Sequence, residues 1–321
     1  MNPLRYYPPG KVIEFTSRTM QERFFLTPSK KINQLILGIL GRAQELFPSV
    51  QVFDFVFMSN HYHMLAYSDA GKDLSAFIGY LNGRIAFHVG KSIGWRGKFW
   101  SRRTRSIPIL DDKALHQRFL YFRAHGVKEA LVSSPKLWPG ISALPKLLKN
   151  KPLQGIWFNG QAYREAFAKK EKVKKQDFFE KKTVTLRKYP GWEHLSWKQI
   201  GEHTRRVLKT IEAEYKYKNT ARNRDEKRGQ RIFLGAAKVC AQDPMSSPSI
   251  SNHSPAPVCH ASTKVVRESF RKTLRAVRDV YIQASYALRV LGKKTVEFPA
   301  YTFPPAGIFV ADEEWGIPIF T

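Results

Sequence analysis

The order of the secondary-structure signals in the first 130 residues or so constrains the fold of this chain more than any other feature. Alternating, β-branched stretches predict four strands, at residues 12–19, 50–58, 61–67 and 98–103. Apolar residues at helical spacing predict three helices, at residues 29–46, 74–89 and 112–127. The resulting βαββαβα order favours an α+β fold of the ferredoxin-like class, with an antiparallel sheet and helices on one face.

The charge of the chain narrows the range of partners. Lys and Arg number 54 against 26 acidic residues, which gives a formal net charge of +28. A field of that sign favours polyanions such as nucleic acid. An anionic membrane is the other candidate, but no apolar run reaches the length of about twenty residues that a membrane span needs. Two cysteines are too few for a disulfide framework, so a cytoplasmic, nucleoid-associated protein is expected.

A change of composition near residues 145–150 predicts a domain boundary. Residues 169–188 contain nine Lys or Arg against three acids. Helical spacing returns at residues 196–217 and 265–291, and a Pro- and Ser-rich linker is predicted at about 244–261. We therefore expect two parts: a domain at residues 1–148, and a basic, mainly helical extension at residues 149–321.

Two histidines on one predicted strand are the sharpest chemical signal. His61 and His63 are separated by one residue, so both side chains leave the same face of the strand. Paired neutral imidazoles are suited to binding a metal ion. Such a pair also arises by chance in many proteins, and a third ligand and a reactive group are needed to support a metal site.

The third predicted helix supplies both candidates. Tyr121 and His125 are four residues apart and share one face of that helix. The alternative is that Tyr121 packs in the core and His125 caps the helix end near Gly126. If instead the two groups join the histidine pair, the chemistry is phosphoryl transfer: the tyrosine attacks a phosphodiester, forming a phosphotyrosine, while the metal ion polarises the phosphate.

The sequence resembles the REP-associated tyrosine transposases, which belong to the single-tyrosine HUH transposases. The resemblance spans roughly residues 10–148 and is carried by several ordered segments, at residues 15–19, 23–26, 58–65, 97–100, 120–132 and 138–140. It implies an HUH nuclease fold in which His61 and His63 are metal ligands and Tyr121 is the nucleophile. It also implies that the sheet surface binds a DNA hairpin beside a short single strand.

One departure from the family pattern concerns the third ligand. The family commonly has Asn-Pro where this chain has His125 and Gly126. A polar side chain one turn after the nucleophile completes the metal shell in related transposases, so His125 is either a ligand or a helix cap. Asn60, beside the histidines, is interpreted as a turn residue rather than one that orients a ligand.

Basic and aromatic residues alternate between the second helix and the third. The cations there can meet phosphates, and the rings can stack on unpaired bases. For Phe99 and Trp100 we favour a place in the core. The residues predicted to bind DNA are Arg18, Arg96, Lys98, Arg102, Arg103 and Arg105.

The sequence thus predicts a transposase or endonuclease that uses Mg²⁺ or Mn²⁺ to cleave and rejoin single-stranded DNA at hairpin-associated sites. No membrane partner is expected, and a monomer and a homodimer are both open. Two rival functions remain. A domesticated, non-catalytic nucleic-acid-binding protein would need none of His61, His63 and Tyr121. A metal-dependent hydrolase that uses activated water would leave no covalent adduct and would tolerate loss of the tyrosine hydroxyl.

Overall fold

The computed structural model describes residues 4–169, 173–222, 233–248, 257–293 and 295–304. Its centre is a four-stranded sheet made of β1 (Ile13–Arg18), β2 (Gln51–Phe57), β3 (His61–Tyr67) and β4 (Arg105–Pro108). The strand order is β2-β3-β1-β4, and every neighbouring pair is antiparallel. The predicted α+β fold with an antiparallel sheet is therefore confirmed.

Three helices of the N-terminal part pack around this sheet: α1 (Lys30–Leu46), α2 (Gly71–Ser92) and α3 (Asp112–Lys128). Two of them begin where the sequence predicts, because the Ser29 side chain accepts from the Ile32 amide and the Asp111 side chain from the Ala114 amide.

The helices do not all lie on one face, which corrects that part of the predicted arrangement. Tyr62 of β3 donates to Asn82 of α2 at 2.9 Å. Its neighbours His61 and His63 face the other way and contact His125 of α3. Successive strand residues alternate between faces, so α2 and α3 cover opposite sides of the sheet. The sequence shows which helices are amphipathic but not which side of the sheet each one covers.

The fourth strand lies later in the chain than predicted. The basic segment 98–103 is not a strand, and β4 is Arg105–Pro108. The earlier segment instead crosses the end of β1, where the Ser101 amide donates to the Arg18 carbonyl at 2.9 Å. Phe99 is buried against Phe25. The alternation of basic and aromatic residues that predicted a strand therefore reflects one aromatic side chain that enters the core.

From residue 144 onward the chain forms a hairpin and several helices. The elements are α4 (Leu144–Lys149), β5 (Leu153–Phe158), α5 (Gly160–Ala168), β6 (Phe179–Val184), α6 (Trp197–Arg222), α7 (Ala236–Cys240) and α8 (Lys264–Arg289). A capping box begins α6: the Ser196 hydroxyl accepts from the Gln199 amide, and the Gln199 side chain accepts from the Ser196 amide. Of the predicted linker at 244–261, residues 249–256 lie outside the described part of the chain.

The hairpin of β5 and β6 packs directly on α1. A Cβ on Gly38 would lie 2.1 Å from the Ile156 carbonyl oxygen, and one on Gly155 would lie 2.1 Å from the Gly38 amide nitrogen. Only glycine allows the two backbones to approach so closely.

Leu153, Trp157 and other residues beyond 148 belong to the same hydrophobic core as the four-stranded sheet. The proposed division at residue 148 therefore does not coincide with a break in the packing.

A buried ion pair fixes α3 to the sheet. Arg123 of α3 donates to Asp54 of β2, and the Tyr189 hydroxyl donates to the same carboxylate. The two charged side chains are 1% and 0% exposed. Because Arg123 lies between Tyr121 and His125 in the sequence, this contact sets the rotation of the helix that carries both.

Replacing Arg123 with leucine is expected to destabilise the protein by about 3–5 kcal/mol, because the Asp54 charge would stay buried without its cation. Urea denaturation monitored by tryptophan fluorescence measures the loss. The matched control is Arg42→Leu, whose exposed ion pair with Glu45 contributes at most about 1 kcal/mol. Equal losses in the two variants would contradict the assigned role.

In the part of the chain that the structure describes, no helix combines the length and the apolar character needed to cross a membrane.

Candidate active site

The two predicted histidines lie on a central strand and face α3. β3 pairs with β2 on one side and β1 on the other, which makes its backbone rigid. The side chains of His61 and His63 are on the same face, with ring centroids 5.2 Å apart, and both residues are buried. The strand thus holds two imidazoles in fixed positions beneath the helix.

His125 of α3 joins this pair. Its Nε2 lies 2.8 Å from His61 Nε2, and its ring centroid is 5.0 Å from that of His63. The imidazole is 2% exposed, and its Nδ1 has no hydrogen-bond partner among the described residues. The side chain therefore faces the other two histidines. It does not cap the helix end, so the alternative prediction for His125 is wrong. One ligand atom from each histidine lies within 4.8 Å of the others, so the three could hold a metal ion.

Further polar groups orient two of the rings. Asn60 Oδ1 lies 2.6 Å from His61 Nδ1, so this residue does more than form a turn. Glu14 Oε1 and Thr16 Oγ1 lie 2.7 and 3.0 Å from His63 Nδ1. With Nδ1 engaged in both rings, the Nε2 atoms are the ones that face the centre of the cluster. Such outer partners fix the tautomer of metal-binding histidines.

The environment also keeps the imidazoles neutral. Burial, reinforced by the neighbouring histidines, lowers the pKa of His61 and His125 well below 6.5. Burial lowers the pKa of His63 as well, although Glu14 opposes the shift. A neutral imidazole is the form that binds metal, so no proton has to be displaced near neutral pH. The chemistry of these three donors therefore fits a divalent transition-metal ion.

Tyr121 lies one helical turn before His125 and beside the cluster. Its ring centroid is 4.9 Å from that of His125 and 5.4 Å from that of His63. The Arg118 guanidinium lies over the tyrosine ring, 3.9 Å from its centroid. Burial raises the pKa of Tyr121 to about 12, against the opposing charge of Arg118. The free phenol is therefore protonated at neutral pH.

Glu14 was not identified from the sequence, although it links several of these groups. It is 1% exposed, and its carboxylate binds Arg118 at 2.8 and 3.0 Å and His260 at 2.7 Å besides His63. Burial alone would raise the pKa of Glu14, but hydrogen bonds from His260 and His63 and the charge of Arg118 hold it well below its ordinary value. The available signal was a carboxylate between Ile13 and Phe15 in an otherwise apolar part of a strand.

His260 brings the extension into this network. Its amide donates to the Pro108 carbonyl, and its carbonyl accepts from the Leu110 amide, both at 2.9 Å. The segment before α8 therefore runs beside the end of β4, and the His260 side chain reaches Glu14. The sequence analysis does not include His260 in the site, because no local pattern connects it with residues 1–148.

The Glu14→Gln variant is expected to bind Mn²⁺ or Co²⁺ about 10- to 100-fold more weakly, because loss of an outer partner usually costs that much metal affinity. Calorimetric titration of the metal measures the change. Glu45→Gln is the matched control, because this exposed glutamate on α1 pairs with Arg42 and Lys182 and does not touch the histidines. An affinity unchanged in Glu14→Gln would show that the carboxylate does not position His63.

Two of the residues predicted to bind DNA, Arg18 and Arg105, lie on the same face of the sheet as the histidines. Arg18 is opposite His61 in the strand register, and Arg105 is opposite Thr16, which pairs with His63. Arg102 and Arg18 are close enough to Arg105 to lower its pKa further than burial alone does. The cations Arg96, Lys98, Arg102, Arg103 and Arg105 are all exposed.

Two details qualify the predicted DNA-binding set. Arg18 forms an ion pair with Glu22 at 2.5 Å, so part of its charge is already balanced. Phe99 is buried and Trp100 is half-buried, which confirms the prediction that these aromatics belong to the core. Contact of the six cations with DNA stays a prediction.

Comparison with known proteins gives matches among solved structures alone. No family model matches this chain, and a search of curated proteins gives no match. A REP-associated tyrosine transposase bound to a REP hairpin is similar over 46% of this chain and 84% of its own, at 17% identity and a TM-score of 0.39. A candidate transposase from Deinococcus radiodurans R1 is similar over 38% of this chain and 95% of its own, at 15% identity and a TM-score of 0.27. The first belongs to the family that the sequence resembles.

Proposed function

We propose that this protein is a metal-dependent single-strand DNA transposase or endonuclease that cleaves and rejoins DNA at hairpin-associated sites through a covalent 5′-phosphotyrosine. The observation that carries the proposal is the position of Tyr121 beside three converging histidines, with its ring centroid 4.9 and 5.4 Å from those of His125 and His63. A protein that only bound nucleic acid would have no need to bury this combination of groups.

The reaction is a transesterification at phosphorus. The Tyr121 oxygen attacks the phosphodiester and forms a new P–O bond, while the bond from phosphorus to the 3′ oxygen breaks. The phenol loses its proton to solvent, and the departing oxygen gains one to become a 3′-hydroxyl. Attack of a 3′-hydroxyl on the phosphotyrosine reverses these steps and rejoins a strand, so no ATP is required.

His61, His63 and His125 would hold the metal ion. When bound, it would polarise a non-bridging oxygen of the scissile phosphate. Mg²⁺ prefers oxygen ligands, whereas imidazoles favour transition metals, so of the two expected ions we propose Mn²⁺.

The remaining side chains position the phenol and the strand. Arg118 lies against the Tyr121 ring, and its charge opposes the rise in pKa that burial causes, which favours the phenolate that must form during attack. Lys128 Nζ lies 5.1 Å from the same ring centroid and adds positive charge beside the attacking group. The exposed arginines around Arg105 would hold the phosphates that flank the reacting one.

The test is an incubation of the wild-type protein with single-stranded DNA hairpins, labelled at either the 5′ or the 3′ end, in Mn²⁺ or in EDTA. Denaturing gels should show a protein adduct that carries only the 3′ label and forms only with metal. Cleavage without an adduct would favour the hydrolase. Tight binding without cleavage over a panel of hairpins would favour the domesticated binder.

A further inference from the structure

A groove of about 450 Å³ runs between α3 and α6, and Tyr121 forms part of its wall. Each helix contributes one continuous face, because the lining residues recur at intervals of three and four. The residues that line it are Gln117, Leu120, Tyr121, Ala124, His203, Arg206, Val207, Thr210, Ile211, Glu214 and Tyr215. One wall thus comes from the helix that carries the nucleophile and the other from the extension.

The groove has an apolar floor and a polar rim. Ala124, Val207 and Ile211 are buried and form the floor together with the half-buried Leu120. The rim carries an amide, a guanidinium, a hydroxyl and a carboxylate, from Gln117, Arg206, Thr210 and Glu214. An apolar slot edged by a few polar groups is typical of a site for a flat, heteroaromatic ligand.

His203 adds an unusual feature to the α6 wall. Its Nε2 is buried and has no hydrogen-bond partner among the residues described. Burial lowers the pKa of His203, so the ring is neutral near pH 7 and this nitrogen can donate or accept one hydrogen bond. A ligand in the groove with polar atoms on its edge could satisfy it.

We propose that this groove seats the base of the nucleotide on the 3′ side of the cut, the nucleotide that stays joined to Tyr121. The inference rests on the proposed function, because the 5′-phosphotyrosine fixes that nucleotide within a few ångströms of the phenol. A nucleobase offers two apolar faces for the floor and a polar edge for the rim. Arg206 at the rim can meet the next phosphate along the strand.

The extension would have a role in DNA recognition, because its helix α6 forms one wall of the groove. Its α6 wall is absent from residues 1–148, so the first domain by itself would present only one side of this site. Recognition of the base beside the cut would then depend on residues that the transposase domain does not supply. The aromatic and arginine residues of segment 95–105, by contrast, come wholly from that domain.

The experiment measures the binding of fluorescent hairpin oligonucleotides by anisotropy, in a Tyr121→Phe background so that no strand is cut. A single abasic position is moved along the single-stranded flank. One position should weaken binding by roughly tenfold to a hundredfold, as loss of one stacked base typically does. Adduct mapping with the wild-type protein should identify that position as the first nucleotide 3′ of the cut.

Filling the groove should abolish this dependence. Thr210 is exposed on the rim, so Thr210→Trp should occupy the slot without disturbing the core. It should weaken binding of the intact oligonucleotide about as much as the abasic change, with no further loss when the two are combined. The matched control is Ala213→Trp, on the same helix, exposed and outside the groove.

The outcomes distinguish failure of the base site from failure of the cleavage chemistry. If Thr210→Trp binds like Ala213→Trp, or if no abasic position matters, the groove is not a base site, whether or not the wild-type protein cleaves. If the base dependence is present but the wild-type protein forms no adduct, the groove binds a base, but its assignment to the nucleotide beside the cut and the proposed cleavage chemistry both fail. Circular dichroism and cobalt titration confirm that each variant retains its fold and its metal site.

Discussion

The Tyr121→Phe variant is expected to form no covalent protein–DNA product, with a rate at least on the order of a thousandfold below that of the wild type. Phenylalanine keeps the ring that packs against His63, His125 and Arg118 but removes the attacking oxygen. Metal affinity and DNA binding should therefore change less than about threefold, because neither depends on the hydroxyl. The adduct is measured on denaturing gels with Mn²⁺.

Tyr286→Phe is the control, because this tyrosine is 55% exposed on α8 and loses the same hydroxyl in a different setting. It should form the adduct at the wild-type rate. Continued cleavage by Tyr121→Phe, with no adduct in either protein, would show that water is the nucleophile and would contradict the assignment.

The double variant His61→Ala, His63→Ala is expected to lose Mn²⁺ and Co²⁺ binding by at least about a hundredfold, since His125 alone would remain of the three imidazoles. Adduct formation should fall below detection, because the Tyr121 phenol, with a pKa of about 12, would then meet an unpolarised phosphate. Cobalt absorption spectra report the metal, and denaturing gels report the chemistry.

The affinity of the double variant for DNA shows whether the variant has lost only the metal ion or has also lost its fold. We propose that the exposed arginines hold phosphates independently of the histidines, so the affinity of the double variant for a hairpin should stay within a few-fold of wild type at fixed salt. His88→Ala on α2 is the control, because it removes a half-buried histidine that packs on Phe87 and Trp157, away from the cluster. Full cleavage by the double variant would rule out a catalytic metal at this site.

Much of the fold was predictable because local signals are strong in residues 1–148. The Ser29 and Asp111 caps and the apolar periodicity fix where two helices begin, and the tight turn before His61 fixes one strand pair. The placement of helices on the two faces was not predictable. It depends on which residues meet across the sheet, as Tyr62 meets Asn82 and His61 meets His125.

The candidate site was predictable only where its members are close in sequence. His61 and His63 are spaced for one face of a strand, and Tyr121 and His125 for one face of a helix. Glu14 joins them through the pairing of β1 with β3, and a shift of one residue in that register would have turned it to the other face. His260 reaches Glu14 from far along the chain, a contact that no local pattern encodes.

Mass spectrometry of the adduct shows whether Tyr121 itself becomes covalently joined to DNA. The adduct formed with Mn²⁺ is digested with nuclease and then with trypsin, which cuts after Arg118 and Arg123 and releases Phe119-Leu120-Tyr121-Phe122-Arg123, with one tyrosine. We expect this peptide to carry an added 5′-phosphonucleotide on Tyr121. A nucleotide on any other residue, or cleaved DNA with this peptide unmodified, would contradict it.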